Sequence, residues 1–147
     1  MNISQFKPYS PNIVRIGICI VFLWFGLNQI FLPNNFAGYL PSWILQTQQP
    51  GMMQMMVRTI PGQYLTFIRL NGLFELIFVS FLLVGKYVRT SALILSLHLA
   101  GIALSLGYND VMIRDVGLTI VTFSIALHGP DSWCIDGKNN PKKVPEH

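Results

Sequence analysis

Four long apolar segments, separated by polar turns, constrain this chain more than any other feature of its sequence. They lie at about 13–32, 64–84, 88–106 and 112–127. A helix needs about 20 mostly apolar residues to cross about 30 Å of hydrocarbon. A backbone inside lipid must also satisfy its own hydrogen bonds, which a helix does. The pattern therefore predicts four membrane-spanning helices.

The composition agrees with an integral membrane protein and excludes several other classes. Of the 147 residues, 52% are hydrophobic and 11% are charged, whereas a soluble domain carries about 25% charged residues. These values exclude a disordered chain, a nucleic-acid-binding domain and an ordinary cytosolic enzyme. Cys19 and Cys134 form neither a CxxC pair nor a metal-binding spacing. We expect no metal site and no haem.

The positive charges predict the orientation in the membrane, because Lys and Arg accumulate on the cytoplasmic side. Seven lie on one side of the predicted spans and three on the other, out of ten in all. Both termini are therefore predicted to be cytoplasmic. The links after residues 84 and 106 are short and force antiparallel hairpins, so we expect an all-α, antiparallel four-helix bundle. The seven are Lys7, Arg15, Lys86, Arg89, Lys138, Lys142 and Lys143, and the three are Arg58, Arg69 and Arg114.

The predicted domain organisation is a short tail at 1–11, a membrane domain at 12–130 and a second tail at 131–147. Within the domain, the external loop at 33–63 is long and amphiphilic, with an aromatic stretch at 36–44. We expect this loop to lie on the membrane interface or to re-enter as a lid. Residues 52–56 (MMQMM) form either an apolar patch or a set of thioether ligands for Cu(I), and their role stays open.

Polar side chains inside the apolar segments are the candidate functional residues, because ionisable groups are costly in a membrane unless they face the bundle interior. Glu75 lies near the middle of the second span and His98 near the middle of the third. Asn71 and Glu75 are four residues apart and share a helix face. Polar groups from four helices therefore converge in the outer half of the bundle. The other members are Asn28, Gln29, Arg69, Asn71, Arg114 and Asp115.

Two interpretations of this cluster stay open. In the structural one, Arg69 or Arg114 pairs with Glu75 or Asp115 and pins the helices together. In the functional one, the cluster is a ligand pocket in which Glu75 and His98 form a proton-transfer pair. Counted from the turn near residue 87, both lie about 17 Å along their helices at 1.5 Å per residue. Histidine suits this role because it gains and loses a proton near neutral pH.

Short motifs along residues 12–136 resemble those of the DoxX family of small four-helix membrane proteins. They are 15–17 (RIG), 24–29 (WFGLNQ), 71–75 (NGLFE), 82–85 (LLVG), 89–92 (RTSA), 109–110 (ND) and 114–117 (RDVG). Family members often have a glycine shortly after the glutamate of the second span, where this chain has 78–80 (FVS). Carried over by position, the polar signature of the family falls on Glu75, Arg89, Arg114 and Asp115.

The resemblance implies a bacterial inner-membrane protein. The family is named for a subunit linked to quinone-dependent oxidation of sulfur compounds, so we expect a membrane subunit of a quinone-linked oxidoreductase. In this hypothesis Glu75 and His98 pass protons at a quinone head group, while Arg69, Arg114 and Asp115 shape the pocket mouth. The alternative is a non-catalytic scaffold that recruits a partner, and a small-solute carrier is a third candidate. Partners would be membrane lipid, other redox subunits or further copies of the chain, and its own catalytic activity stays open.

Overall fold

Helices make up nearly all of the computed structural model, which describes residues 8–40 and 63–139. No strand occurs within these two ranges. The elements are α1 (Ser10–Phe31), a 3-10 helix (Pro33–Tyr39), α2 (Gln63–Val84), α3 (Val88–Ser105), α4 (Asp110–His128) and the short α5 (Ile135–Asn139).

The four long helices α1 to α4 are long and apolar enough to cross a membrane. The expected all-α bundle of four spans is thereby confirmed. Local signals explain where the helices end. Pro33 follows α1 closely, and Gly85 ends α2 at a φ of 76° that residues with a side chain rarely adopt. The side chain of Asn109 accepts a hydrogen bond from the Met112 amide at 2.8 Å and caps α4.

The long helices pack in the ring order α1, α2, α3, α4, and α4 returns to α1. The contacts of α1 with α2 and of α3 with α4 are the most extensive. We call the end where α1 begins and α4 finishes the terminus end, and the opposite end the loop end. The core is apolar and lies mainly between the middle of the helices and the terminus end. It includes Ile18, Phe22, Val79, Leu82 and Leu95.

An ion pair between the first span and the segment after the last one closes the terminus end. Arg15 donates from Nε to Asp131 Oδ2 at 2.6 Å and from Nη2 to Asp131 Oδ1 at 3.3 Å. Its Nη1 donates to the carbonyls of Leu82 and Leu83, at 2.8 and 2.9 Å. Both charged side chains are 3% exposed. One guanidinium therefore joins α1, the last turn of α2 and the C-terminal segment.

The C-terminal segment packs into the bundle, whereas the sequence predicted a polar tail from residue 131. Asp131 and Cys134 are buried, and the Cys134 thiol donates to Asp131 Oδ1 at 3.3 Å. Asp136 accepts a hydrogen bond from the Val88 amide at 3.2 Å, at the start of α3. A Cβ on Gly85 would lie 2.5 Å from the Cys134 Cα, so only glycine allows this approach. The packed unit thus extends past the predicted boundary at 130.

The predicted external loop is described from 33 to 40. Pro33 is buried, and the ring of Phe36 lies 6.3 Å from the ring of Phe25 on α1. The prediction that the loop lies on the interface or re-enters, and the alternatives for residues 52–56, concern positions outside the described residues.

Candidate functional site

A partly open cavity of about 680 Å³ lies between the four long helices at the loop end. Its volume is within the range of about 300–1,000 Å³ that is usual for small-molecule sites. Most of its lining is apolar or aromatic, including Trp24, Phe25, Phe36, Phe67 and Ile102. A small set of polar side chains from all four long helices faces the same space. Mostly apolar walls with a few polar groups are typical of sites that bind small molecules or cofactors.

Glu75 on α2 is the centre of the polar wall and is 3% exposed. Gln29 of α1 donates from Nε2 to Glu75 Oε2 at 3.1 Å, and Asn71 donates from Nδ2 to Glu75 Oε1 at 3.0 Å. Asn71 also donates to Gln29 Oε1 at 2.7 Å. The carboxylate is therefore held by two neutral amides rather than by a guanidinium. Such bonds satisfy a buried carboxylate without neutralising it.

Two glycines bring this amide–carboxylate cluster together. A Cβ on Gly72 would lie 2.7 Å from the Gly26 carbonyl oxygen and 2.8 Å from the Cβ of Gln29. A Cβ on Gly26 would lie 2.9 Å from Leu76. Helices α1 and α2 can therefore approach closely because both positions lack a side chain. This close crossing places Gln29 within hydrogen-bonding distance of Asn71 and Glu75.

His98 on α3 completes the polar wall from the opposite side. Its Nε2 lies 3.7 Å from Glu75 Oε1, beyond an ordinary hydrogen bond but within ion-pair distance when the ring is protonated. The ring packs on Phe74, with centroids 4.5 Å apart. The Nε2 atom is buried and has no hydrogen-bond partner in the described part of the chain. No hydrogen bond joins the His98 ring to a backbone carbonyl or a serine in those residues.

An aromatic and charged group forms the cavity mouth. Arg114 binds Asp115 from Nη2 at 2.8 Å, and its guanidinium lies 4.7 Å from the centroid of the Phe25 ring. Asn28 donates to the Trp24 carbonyl at 2.7 Å. Asp115 is buried, whereas the Arg114 side chain is 46% exposed. The pair joins neighbouring residues of one helix, so it does not pin two helices together as the structural interpretation required.

The structure brings seven of the eight predicted site residues to one cavity. The seven are Asn28, Gln29, Asn71, Glu75, His98, Arg114 and Asp115. Their common depth was the basis of the prediction, and the side chains do meet there.

Arg69 is the exception among the predicted site residues. Its side chain is exposed on α2 and is not among those that line the cavity. It was chosen by depth, but two residues along a helix correspond to a rotation of about 200° relative to Asn71. Arg69 therefore points away from the polar wall, and it pairs with neither Glu75 nor Asp115 within the described ranges.

The sequence reasoning missed two features. Tyr39 and Leu40 of the loop line the cavity beside Phe36, although the prediction of an interfacial or re-entrant loop named none of its residues as part of the site. The Arg15–Asp131 pair was missed because Arg15 was assigned to the flanking charges. Arg15 nevertheless lies inside the span predicted at 13–32, so the rule that marked Glu75 applied to it as well.

The chain matches no family model, no curated protein and no solved structure.

Proposed function

We propose that this protein is the membrane subunit of a quinone-linked redox assembly and that its loop-end cavity holds the quinone head group. The observation that carries the proposal is the contact between Glu75 and His98, 3.7 Å apart, in the wall of a mostly apolar cavity. The resemblance to the DoxX family supports the same assignment. The electrons would come from a partner subunit that oxidises its own substrate.

The residues present fit a quinone on two counts. The cavity is large enough for a substituted ring, and its aromatic lining offers stacking surfaces. The imidazole lies in the wall with a buried nitrogen that has no hydrogen-bond partner among residues 8–40 and 63–139. When bound, a quinone accepts two electrons and two protons.

The role of the chain in this proposal is to hold and move protons. An imidazole can take a proton at one nitrogen and release one from the other. His98 would thus link Glu75 to the cavity that its own ring lines. Gln29 and Asn71 keep the carboxylate of Glu75 fixed on the histidine side. Glu75 and His98 are the proposed catalytic residues, and Asn28, Arg114 and Asp115 are proposed to bind or orient the ligand.

A scaffold without its own activity is the second candidate. The extensive network at the terminus end favours it, because that network stabilises the bundle without any role in chemistry. A scaffold, however, gives no reason for a cavity with a partly exposed histidine. We therefore rank the redox subunit first.

The proposed location is a bacterial inner membrane with both termini in the cytoplasm, which turns the loop end to the outside. A cysteine introduced as Gln48→Cys should react with an impermeant maleimide in intact cells. Cys19 and Cys134 are buried, and burial raises the pKa of the Cys134 thiol to about 11. The wild type is therefore the unlabelled control. Labelling of Gln48→Cys only after the cells are opened would show that the orientation is the opposite of the proposed one.

Quinone binding is tested by purification with native lipids and mass spectrometry of the extract, followed by titration with a decyl-tailed ubiquinone analogue. Quinones quench tryptophan fluorescence, and Trp24 lines the cavity. We expect saturable quenching that is lost in Trp24→Phe and kept in Trp133→Phe, because Trp133 lies at the terminus end. Absence of quinone in the extract, with quenching that never saturates, would contradict the proposal and place the scaffold first.

A further inference from the structure

The cavity has an apolar flank between α2 and α3, separate from its polar mouth near α1 and α4. Phe67 on α2 and Leu97, Gly101 and Ser105 on α3 all line the cavity and are all exposed. Exposed side chains in the wall of a partly open cavity border its openings. Because α2 and α3 are long and apolar enough to span a membrane, lipid is the expected surrounding of this flank.

The packing of α2 and α3 explains the gap. The turn at residues 85–87 joins the two helices tightly at the terminus end, yet they pack less extensively than α1 with α2 or α3 with α4. The contact between the rings of Phe74 and His98, with centroids 4.5 Å apart, closes the gap toward the terminus end. Above this contact, a Cβ on Gly101 would meet no atom within 4 Å. The space beside Gly101 is therefore open.

We infer that this gap is a lateral portal through which the ligand enters from the bilayer, and that the ligand is an amphipathic molecule with a hydrocarbon tail. Its polar head would reach the wall of Gln29, Asn71, Glu75 and His98, while its tail would leave between Phe67 and Leu97 into lipid. The inference rests on the proposed function and adds to it the route and the class of ligand. A hydrocarbon tail in the portal takes the place of lipid chains against the protein. The apolar surface buried there stays the same, because lipid chains and the tail are equally apolar.

The test compares two glycines that have equal space around them. Gly101 borders the portal, and Gly117 on α4 is exposed, has nothing within 4 Å of an added Cβ and does not line the cavity. In the full chain, Gly101→Leu should weaken the saturable quenching by the decyl-tailed analogue about tenfold, which corresponds to about 1.4 kcal/mol. Gly117→Leu should bind that analogue like the wild type. The tail-less head group should bind both variants like the wild type, since it needs no room in the portal.

A second measurement avoids any effect of substitution on folding. A decyl-tailed quinone that carries a diazirine in the tail should label residues of the portal, such as Leu97, when the wild-type protein in lipid is irradiated. Equal affinity of Gly101→Leu and the wild type for the tailed analogue, or tail labelling confined to the mouth near Trp24, would overturn the portal and leave quinone binding intact. Failure of the wild type to bind either analogue would instead overturn the proposed function, and the portal with it.

Discussion

The two ends of the bundle use buried polar groups in opposite ways. At the terminus end, Arg15 makes four hydrogen bonds, and its partner Asp131 also accepts from the Trp133 amide and the Cys134 thiol. At the loop end, Glu75 is held by two amides, while the facing nitrogen of His98 has no hydrogen bond within the described residues. The network at the terminus end has all of its hydrogen bonds made and so stabilises a single packing of the helices. The network at the loop end leaves this nitrogen of His98 without a hydrogen bond in the same part of the chain, beside a cavity where a ligand could provide one.

The largest effect should come from breaking the terminus-end ion pair. Asp131→Asn leaves the buried guanidinium of Arg15 without a counter-charge, and orphaning one partner of such a pair costs about 3–5 kcal/mol. Thermal unfolding in detergent and the yield of monodisperse protein would measure the loss. The control is Arg69→Leu, whose side chain is exposed on α2 and pairs with no carboxylate in the described ranges, so its removal should cost about 1 kcal/mol or less. Equal losses of stability in the two variants would contradict the difference between the two ends of the bundle.

The next effect concerns the crossing that assembles the loop-end cluster. Gly72→Ala should cost about 1–3 kcal/mol, because its Cβ would meet the Gly26 carbonyl at 2.7 Å and force α1 away. The ligand affinity should fall as well, since the move displaces Gln29. Gly17→Ala on α1 is the control, because nothing lies within 4 Å of its added Cβ. If Gly72→Ala unfolds at the temperature of Gly17→Ala, the crossing is not what positions Gln29.

Two substitutions of Glu75 separate stability from function at the loop end. Glu75→Gln keeps the shape and an acceptor oxygen, so we expect a loss below about 1 kcal/mol with clearly weaker quinone binding. Glu75→Leu leaves the amide of Gln29 without its acceptor, at about 1–3 kcal/mol, whereas Asn71 still donates to Gln29 Oε1. Unfolding midpoints measure the loss of stability, and the quenching titration measures quinone binding. Wild-type binding by Glu75→Gln would remove the carboxylate from any role in the ligand site.

The smallest effect is a response of the terminus end to acid. Burial by itself raises the pKa of Asp131, but the hydrogen bond from Arg15, the Trp133 amide and the Arg15 charge outweigh it and hold the pKa below its usual value. A folded-state pKa below the unfolded one adds stability that is complete above about pH 4 and is lost as the pH falls through the folded value. Unfolding midpoints should therefore drop on acidification below about pH 4.

The control for this response is the Asp131→Asn variant, which lacks the titrating carboxyl. Its midpoints should start lower and change less over the same acid range. A wild-type profile parallel to that of Asp131→Asn would show that the acid response arises elsewhere in the chain.

The sequence predicted most of the fold and the depth of the site, because both follow from apolar length and from counting residues along helices. Glu75 and His98 were expected at equal depth on antiparallel neighbours, and they lie 3.7 Å apart. The direction in which a side chain points around its helix axis was predicted less well. Arg69 matched the site in depth but is exposed, because it lies about 200° around α2 from Asn71 and a count by depth leaves this rotation out.

Long-range partners were beyond the reach of patterns in the sequence. Arg15 and Asp131 are 116 positions apart, and no periodicity connects them. The cavity itself was equally out of reach, because it depends on the spacing of the four long helices at the loop end. Such separations are set by side-chain packing across the whole bundle rather than by any one helix.

The Arg15–Asp131 pair also orders events during biosynthesis. Arg15 emerges with the first span, and its carboxylate partner is made only after the fourth span is complete. Until then the guanidinium sits in a helix that has entered the membrane without its counter-ion, a state that a bilayer penalises. The contacts of the first helix are therefore completed last, and a nascent chain interrupted before residue 131 leaves the Arg15 guanidinium without its counter-charge.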